Sequence, residues 1–222
     1  MKQKNTPQWA IWLAWLLAGA LVGGVISIFL PKMYRAQATV VVDMNSEQTW
    51  SGSPDNEIFY FLEREARKLE ELAWADSTLS AVSVATGIDI STLRNKNLAL
   101  SHPKDGGWHF TAVAENPAQA EKIAAAWATA FYDQTQSAIN ASVQLGAAKA
   151  ILVTDPKSDT LPAKIAELEA TSKGILPGIE TSLAQVEGLP IQELGQPAWY
   201  ILAGGMAGLL LGLFWTLSLR KH

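Results

Sequence analysis

The chain of 222 residues contains no cysteine and only three histidines. The first absence excludes disulfides and thiolate chemistry within the chain. It leaves the compartment open, because an exported domain can also lack cysteine. Charge is scarce as well: Asp, Glu, Lys and Arg make up 17% of the residues, against about 25% in an ordinary soluble domain. The shortage is local, since residues 5–31 and 194–219 carry none of the four. No G-x-x-x-x-G-K-[ST] or G-x-S-x-G occurs, so a phosphate-cradling loop and a serine elbow of those types are excluded.

Apolar residues fill the charge-free windows. The first reads "WAIWLAWLLAGALVGGVISIFL" (9–30) and the second "AWYILAGGMAGLLLGLFWTLSL" (198–219). A helix needs about 20 apolar residues to cross a bilayer, and each window reaches that length. The first run is longer than the roughly 7–15 residues of a signal-peptide core. The small-x-small site at Ala36-Gln37-Ala38 lies beyond Lys32 and Arg35, inside a strand-like stretch. Two wholly apolar helices would overload the core of a soluble protein this size. The windows are therefore read as two transmembrane helices, with residues 1–8 and 220–222 as cytoplasmic tails. Lys2 and Lys4 precede the first window, and Arg220 and Lys221 follow the second; such residues favour the cytoplasmic side. Lys32 and Arg35 oppose this on the other flank. All 21 acidic residues but only 13 of the 17 basic ones lie between the windows, leaving −8 there and +4 on the tails. The expected localisation is the inner (plasma) membrane, two-pass, with both termini cytoplasmic and the central domain periplasmic or extracellular.

Trp9, Trp12, Trp199, Tyr200 and Trp215 stand near the window ends, where interfacial aromatics belong. Gly204, Gly208 and Gly212 repeat every four residues, as do Gly19 and Gly23. Small residues on one face let helices approach closely in lipid. The spacing marks these five glycines as a packing face, used either between the two helices of one chain or between chains.

The middle of the chain is expected to be an α+β domain, a small mixed sheet with helices on one face, over residues 31–139. "AQATVVVD" (36–43) is β-branched and reads as a strand. "MNSEQTWSGSPDN" (44–56) reads as a loop. In residues 56–75, Ile58, Leu62, Ala66, Leu69, Leu72 and Ala73 recur at helical steps. Glu63 is placed to pair with Arg67, and Arg64, Glu65 and Lys68 are expected to be solvated. Asp76 is placed as the cap of a second helix that stops at Gly87, and "DISTLRNKN" reads as a further short helix or turn. "LALSHPKDGGWHFTAVAE" (98–115) predicts a hairpin. Asn116 and Pro117 open a helix whose apolar stripe is Ala120, Ile123, Ala124, Trp127 and Phe131. A short helical or irregular extension, 140–197, returns to the membrane. Within it "AKAILVTDP" (148–156) is expected to add a strand, and residues 161–189 to be helical with a break near Gly174 and Pro177.

No catalytic constellation emerges. His102 and His109 flank the hairpin turn with Asp105 between them, but the ligand spacing of zinc sites is absent. The pair Glu70-Glu71 reads as a solvated helix face. The basic residues are scattered in an acidic segment, which argues against nucleic acid. No enzyme activity, metal or cofactor is expected.

The first window followed by "PKMYRAQATVVV" resembles the P-x-x-Y-x-A-x-A-x-hydrophobic signature of chain-length determinant proteins, the Wzz-type polysaccharide co-polymerases, with Pro31, Tyr34, Ala36 and Ala38 at matching positions. "GWHFTAVAENPAQAEKIAAAWATAFYD" (107–133) is similar to the strand, capped turn and Ala-rich helix of the same domain, and the glycine-rich final window preceded by Pro190 and Pro197 fits it too. The resemblance covers most of residues 8–139 and 190–219. It implies a non-catalytic, homo-oligomeric membrane protein regulating the chain length or export of a cell-surface polysaccharide, with a polysaccharide polymerase or export machinery as partner and the bilayer around its spans. The short segment at 140–190 departs from members with a long projecting helix, and the tail "RKH" from members fused to a kinase. Pro31, Tyr34, Pro190 and Pro197 are expected to form the junction between membrane and domain. The alternative is an accessory or scaffold subunit of a larger membrane complex, since fold does not fix function.

Overall fold

The computed structural model describes residues 8–45, 55–101, 107–156, 160–195 and 197–219. They form two compact units: residues up to Met33 with those from Glu193 onward, and Tyr34–Gln192. Among the described residues, the first unit contains the helices α1 (Gln8–Phe29) and α6 (Pro197–Leu219). Both are long and apolar enough to cross a membrane.

The second unit is α+β. Strand β1 (Met33–Asp43) is followed by helices α2 (Asp55–Ala73) and α3 (Asp76–Thr86), a short helical turn at Ile90–Thr92 and a π turn at Leu93–Asn97. Then come β2 (Leu98–Ser101), β3 (Gly107–Ala114), helices α4 (Pro117–Thr154) and α5 (Leu161–Ser172), and strands β4 (Glu180–Gln185) and β5 (Ile191–Leu194). The sheet order is β2-β3-β1-β4, with β5 also paired to β1. The β1–β3, β1–β4 and β2–β3 ladders are all antiparallel, where the sequence suggests a mixed sheet. For β2 and β3 the short connection accounts for this, since a parallel pair needs a crossover of a dozen or more residues.

Alternation along β1 sends Ala36, Ala38, Val40 and Val42 inward, all buried, while Arg35, Val41 and Asp43 face out. Trp108, Phe110, Ala112 and Ala114 of β3 share the inner face. The register sets alanine beside alanine (Ala36 with Ala112) and bulk beside bulk (Val40 with Trp108). Helix α4 lays Trp127 and Phe131 on this face, both fully buried. Trp127 meets Phe110 edge-on at 4.9 Å between ring centroids, and Phe131 stacks on Trp108 at 5.7 Å. The indole nitrogen of Trp127 donates to the carbonyl of Ala73, 2.9 Å away, at the end of α2. That bond satisfies a buried polar atom that would otherwise oppose the packing.

Local signals account for several helix ends. The Asn116 side chain accepts from the amide of Ala118 at 2.9 Å, with Pro117 in the first turn. Gly87 ends α3 in a left-handed conformation, φ 76°, which glycine adopts at little cost. Asp76 lies inside the first turn of α3, with Ala75 at the cap position, and its carboxylate pairs with Arg94 at 2.9 Å.

Three expectations change beyond residue 139. The boundary at 140 falls inside α4, a helix of 38 residues and so about 57 Å long. The strand expected at 148–156 is helical through Thr154. Ala141 and Ala148 of α4 pack with Leu168 of α5 in a small second core, and this tertiary contact outweighs the β preference of Ile-Leu-Val-Thr. Helix α5 stops at Ser172 because Lys173 and Gly174 both turn left-handed, φ 50° and 71°. The chain then supplies β4, which covers an edge of β1; an uncovered edge would leave ladder groups unpaired.

Candidate helix-packing site

Helices α1 and α6 carry the residues singled out for packing, and the backbone geometry shows why glycine is needed there. A Cβ built on Gly19 would lie 2.2 Å from the carbonyl oxygen of Gly204, and one on Gly23 would lie 2.1 Å from that of Tyr200. From the opposite helix, a Cβ on Gly204 would meet the oxygen of Gly19 at 2.3 Å, and one on Gly208 that of Trp15 at 2.2 Å. Gly212 lies against the Trp15 side chain, 2.9 Å from a built Cβ. At Gly19, Gly23, Gly204 and Gly208 main chain meets main chain, so no side chain can swing away to admit a methyl group. The structure thus brings Gly19, Gly23, Gly204, Gly208 and Gly212 together on one crossing within a single chain.

Two polar contacts support this unit. The Trp12 indole nitrogen donates to Thr216 Oγ1 at 3.3 Å, and that hydroxyl donates to the carbonyl of Leu213 at 2.9 Å. Lys32 Nζ pairs with Glu193 at 3.0 Å, tying together the two places where the chain leaves the helices. Neither contact was legible in the sequence, because the partners are 204 and 161 residues apart in the chain. The aromatics are largely outward: Trp9, Trp199, Tyr200 and Trp215 are exposed, and Trp12 is half-buried.

The junction residues occupy element ends. Pro31 follows α1 and stands two residues before Met33, where β1 begins, and Tyr34 is the second residue of β1, opposite Ala114. Pro190 immediately precedes β5, and Pro197 is the first residue of α6. Proline fits these places because it donates no backbone hydrogen bond and favours extended geometry in the residue before it.

Elsewhere the candidates for chemistry fall apart or fall outside. His102 and Asp105 lie outside the described residues. His109 is half-buried on β3 with Nδ1 3.1 Å from the hydroxyl of Thr39, its direct partner across the ladder. Among the described residues no group of three His, Asp or Glu side chains is arranged to hold a metal. Glu70 and Glu71 are exposed on α2. Glu65, expected to be solvated, is instead 1% exposed, with Lys68 Nζ at 2.8 and 2.9 Å from its two oxygens and Arg64 Nε at 3.3 Å. Lys68 also donates to the carbonyl of Gly174 at 2.7 Å.

Comparison with known proteins adds no identity: no protein-family model matches the chain, and no curated protein matches it.

Proposed function

We propose that this chain is a two-pass membrane protein of the polysaccharide co-polymerase kind. It acts without catalysing a reaction, as a homo-oligomer that regulates the chain length or export of a cell-surface polysaccharide made by a separate polymerase. In this reading α1 and α6 cross the inner membrane, both termini are cytoplasmic, and Tyr34–Gln192 is exported. One observation carries it. The signature Pro31, Tyr34, Ala36, Ala38 falls where an apolar helix gives way to a sheet strand, and Ala36 and Ala38 are fully buried there against β3. The motif's small residues are thus those a tightly packed strand needs. The 38-residue α4 adds support, since it supplies a long helix of the sort that projecting members carry.

The test is genetic and direct. Deleting the gene should shift the length distribution of the envelope polysaccharide on a gel, and a plasmid copy should restore it. An unchanged ladder would overturn the proposal. Purification in mild detergent checks the assembly: a homo-oligomer, alone or with a glycan polymerase, is expected. Stoichiometric capture of redox or transport subunits would favour a scaffold role instead.

A further inference from the structure

Helices α4 and α5 flank an open groove of about 500 Å³, and its lining differs from that of an ordinary solvated helix surface. Residues 134–148 of α4 contain no Asp, Glu, Lys or Arg. Ser and Asn, both weaker helix formers than Glu or Lys, take exposed positions there. Asp133, Ser137, Asn140 and Gln144 step along α4 at intervals of four, three and four, so they line one edge of the groove. That edge runs for about 16 Å at the helical rise. All four are exposed, and none of their side chains hydrogen-bonds another described residue. The apolar lining between the helices is small: Ala141 and Leu168, both buried.

The charges narrow the ligand class. The groove's cation, Lys164, is already paired with Glu167 at 3.0 Å. Asp133 is left as the uncompensated charge among the lining residues. An anionic ligand would meet a net negative groove with no free cation, whereas Asn140, Gln144 and Ser137 each offer a donor and an acceptor. A sugar hydroxyl needs both at once.

We propose that this groove binds an uncharged oligosaccharide segment laid along α4. The proposal rests on the polysaccharide reading above and adds to it a location and a charge class. The side chains of Ser137, Asn140 and Gln144 make neutral hydrogen bonds to ring hydroxyls, while Ala141 and Leu168, buried between the helices, form the floor of the groove.

The experiment uses the full chain in detergent micelles or nanodiscs, followed by amide NMR during titration with neutral gluco-, galacto- and manno-oligosaccharides, and separately with oligogalacturonate. At least one neutral series should give saturable shifts confined to residues 133–144 and 164–171, and oligogalacturonate none. The double variant Asn140→Ala/Gln144→Ala should weaken binding about tenfold or more, as expected for one or two neutral hydrogen bonds lost. Both sites are exposed and alanine favours the helix, so an unchanged far-UV spectrum will show that the fold is kept. No saturable shift with any neutral series, preference for oligogalacturonate, or unchanged affinity in the double variant would each overturn the proposal. A cell assay separates this failure from that of the functional reading. If deletion alters polysaccharide length but the double variant does not, the groove falls and the function stands. If deletion alters nothing while binding depends on Asn140 and Gln144, the function falls and the groove stands.

Discussion

Glu65 is a carboxylate with almost no access to water, and its stability depends on Lys68, which also reaches the carbonyl of Gly174. Removing one member of a buried pair leaves the other charge desolvated and uncompensated. Arg64 remains 3.3 Å from Glu65 as a second cation, so Lys68→Met should lower stability by about 1–3 kcal/mol, read as thermal unfolding of the detergent-solubilised chain. Glu65→Leu with Lys68→Met should recover most of it, since replacing both partners of a buried pair with apolar groups is often neutral. A single variant as stable as the parent would refute the idea. Asp89 gives a pH-dependent case. The Ser91 hydroxyl and then the Ser91 amide hydrogen-bond its carboxylate and hold its pKa below the usual value. A pKa lowered by folding stabilises above the unfolded-state value, and that contribution fades as pH falls through the folded one. The stability gap between the parent and Asp89→Asn should accordingly be full at neutral pH and shrink below about pH 4. Sequence reading handled local pairs well: Glu63 and Arg67, four residues apart, do meet at 3.1 Å. It misplaced Glu65 because Lys68, which pairs with it, is held by a turn more than 100 residues away.

At the scale of elements, the crossing of α1 and α6 makes the sharpest prediction. Gly205 faces Ala20 with 3.7 Å between a built Cβ and the alanine Cβ, within the range of disulfide Cβ separations, about 3.5–4.5 Å. The chain has no cysteine of its own. Ala20→Cys with Gly205→Cys should then form an intramolecular disulfide on mild oxidation, seen as a mobility change on a non-reducing gel. Adding Gly208→Leu, whose first side-chain atom would sit 2.2 Å from the Trp15 oxygen, should abolish most of that cross-link. Efficient cross-linking in the triple variant would show that the glycines are dispensable for the approach. The four-residue glycine spacing was readable from sequence because helical periodicity alone places those residues on one face. Whether that face meets the same chain was not readable, since either choice buries the same surface. The end of α4 shows a second limit. The β-branched Ile151, Val153 and Thr154 favour strands, but the helix persists through them where Lys149 pairs with Glu169 of α5 at 2.7 Å and Ala148 packs beside Leu168. Propensity over a few residues yields to a partner helix whose position the sequence does not announce.

For the whole molecule, the proposed topology makes both tails cytoplasmic and exports everything between the spans. The basic residues Lys2, Lys4, Arg220 and Lys221 favour this, while Lys32 and Arg35 on the opposite flank resist it. The balance turns on four positive residues against two, a small margin that a direct measurement should check. Because cysteine is absent, single substitutions report position without background. Ser80 is exposed on α3 within the proposed exported unit. Ser80→Cys should react with a membrane-impermeant maleimide on cells whose inner membrane is intact, whereas Asn5→Cys and His222→Cys should react only after lysis. The reverse pattern would invert the orientation and place the α4–α5 groove in the cytoplasm, away from an exported glycan. Protection of all three sites until lysis would remove the two-pass reading altogether. Replacing Lys2, Lys4, Arg220 and Lys221 together with glutamine removes the charges proposed to hold the tails inside. If those charges set the orientation, this variant should label at Asn5→Cys before lysis in a substantial fraction of molecules; unchanged labelling would mean that features of the exported unit, rather than flanking charge, set the topology.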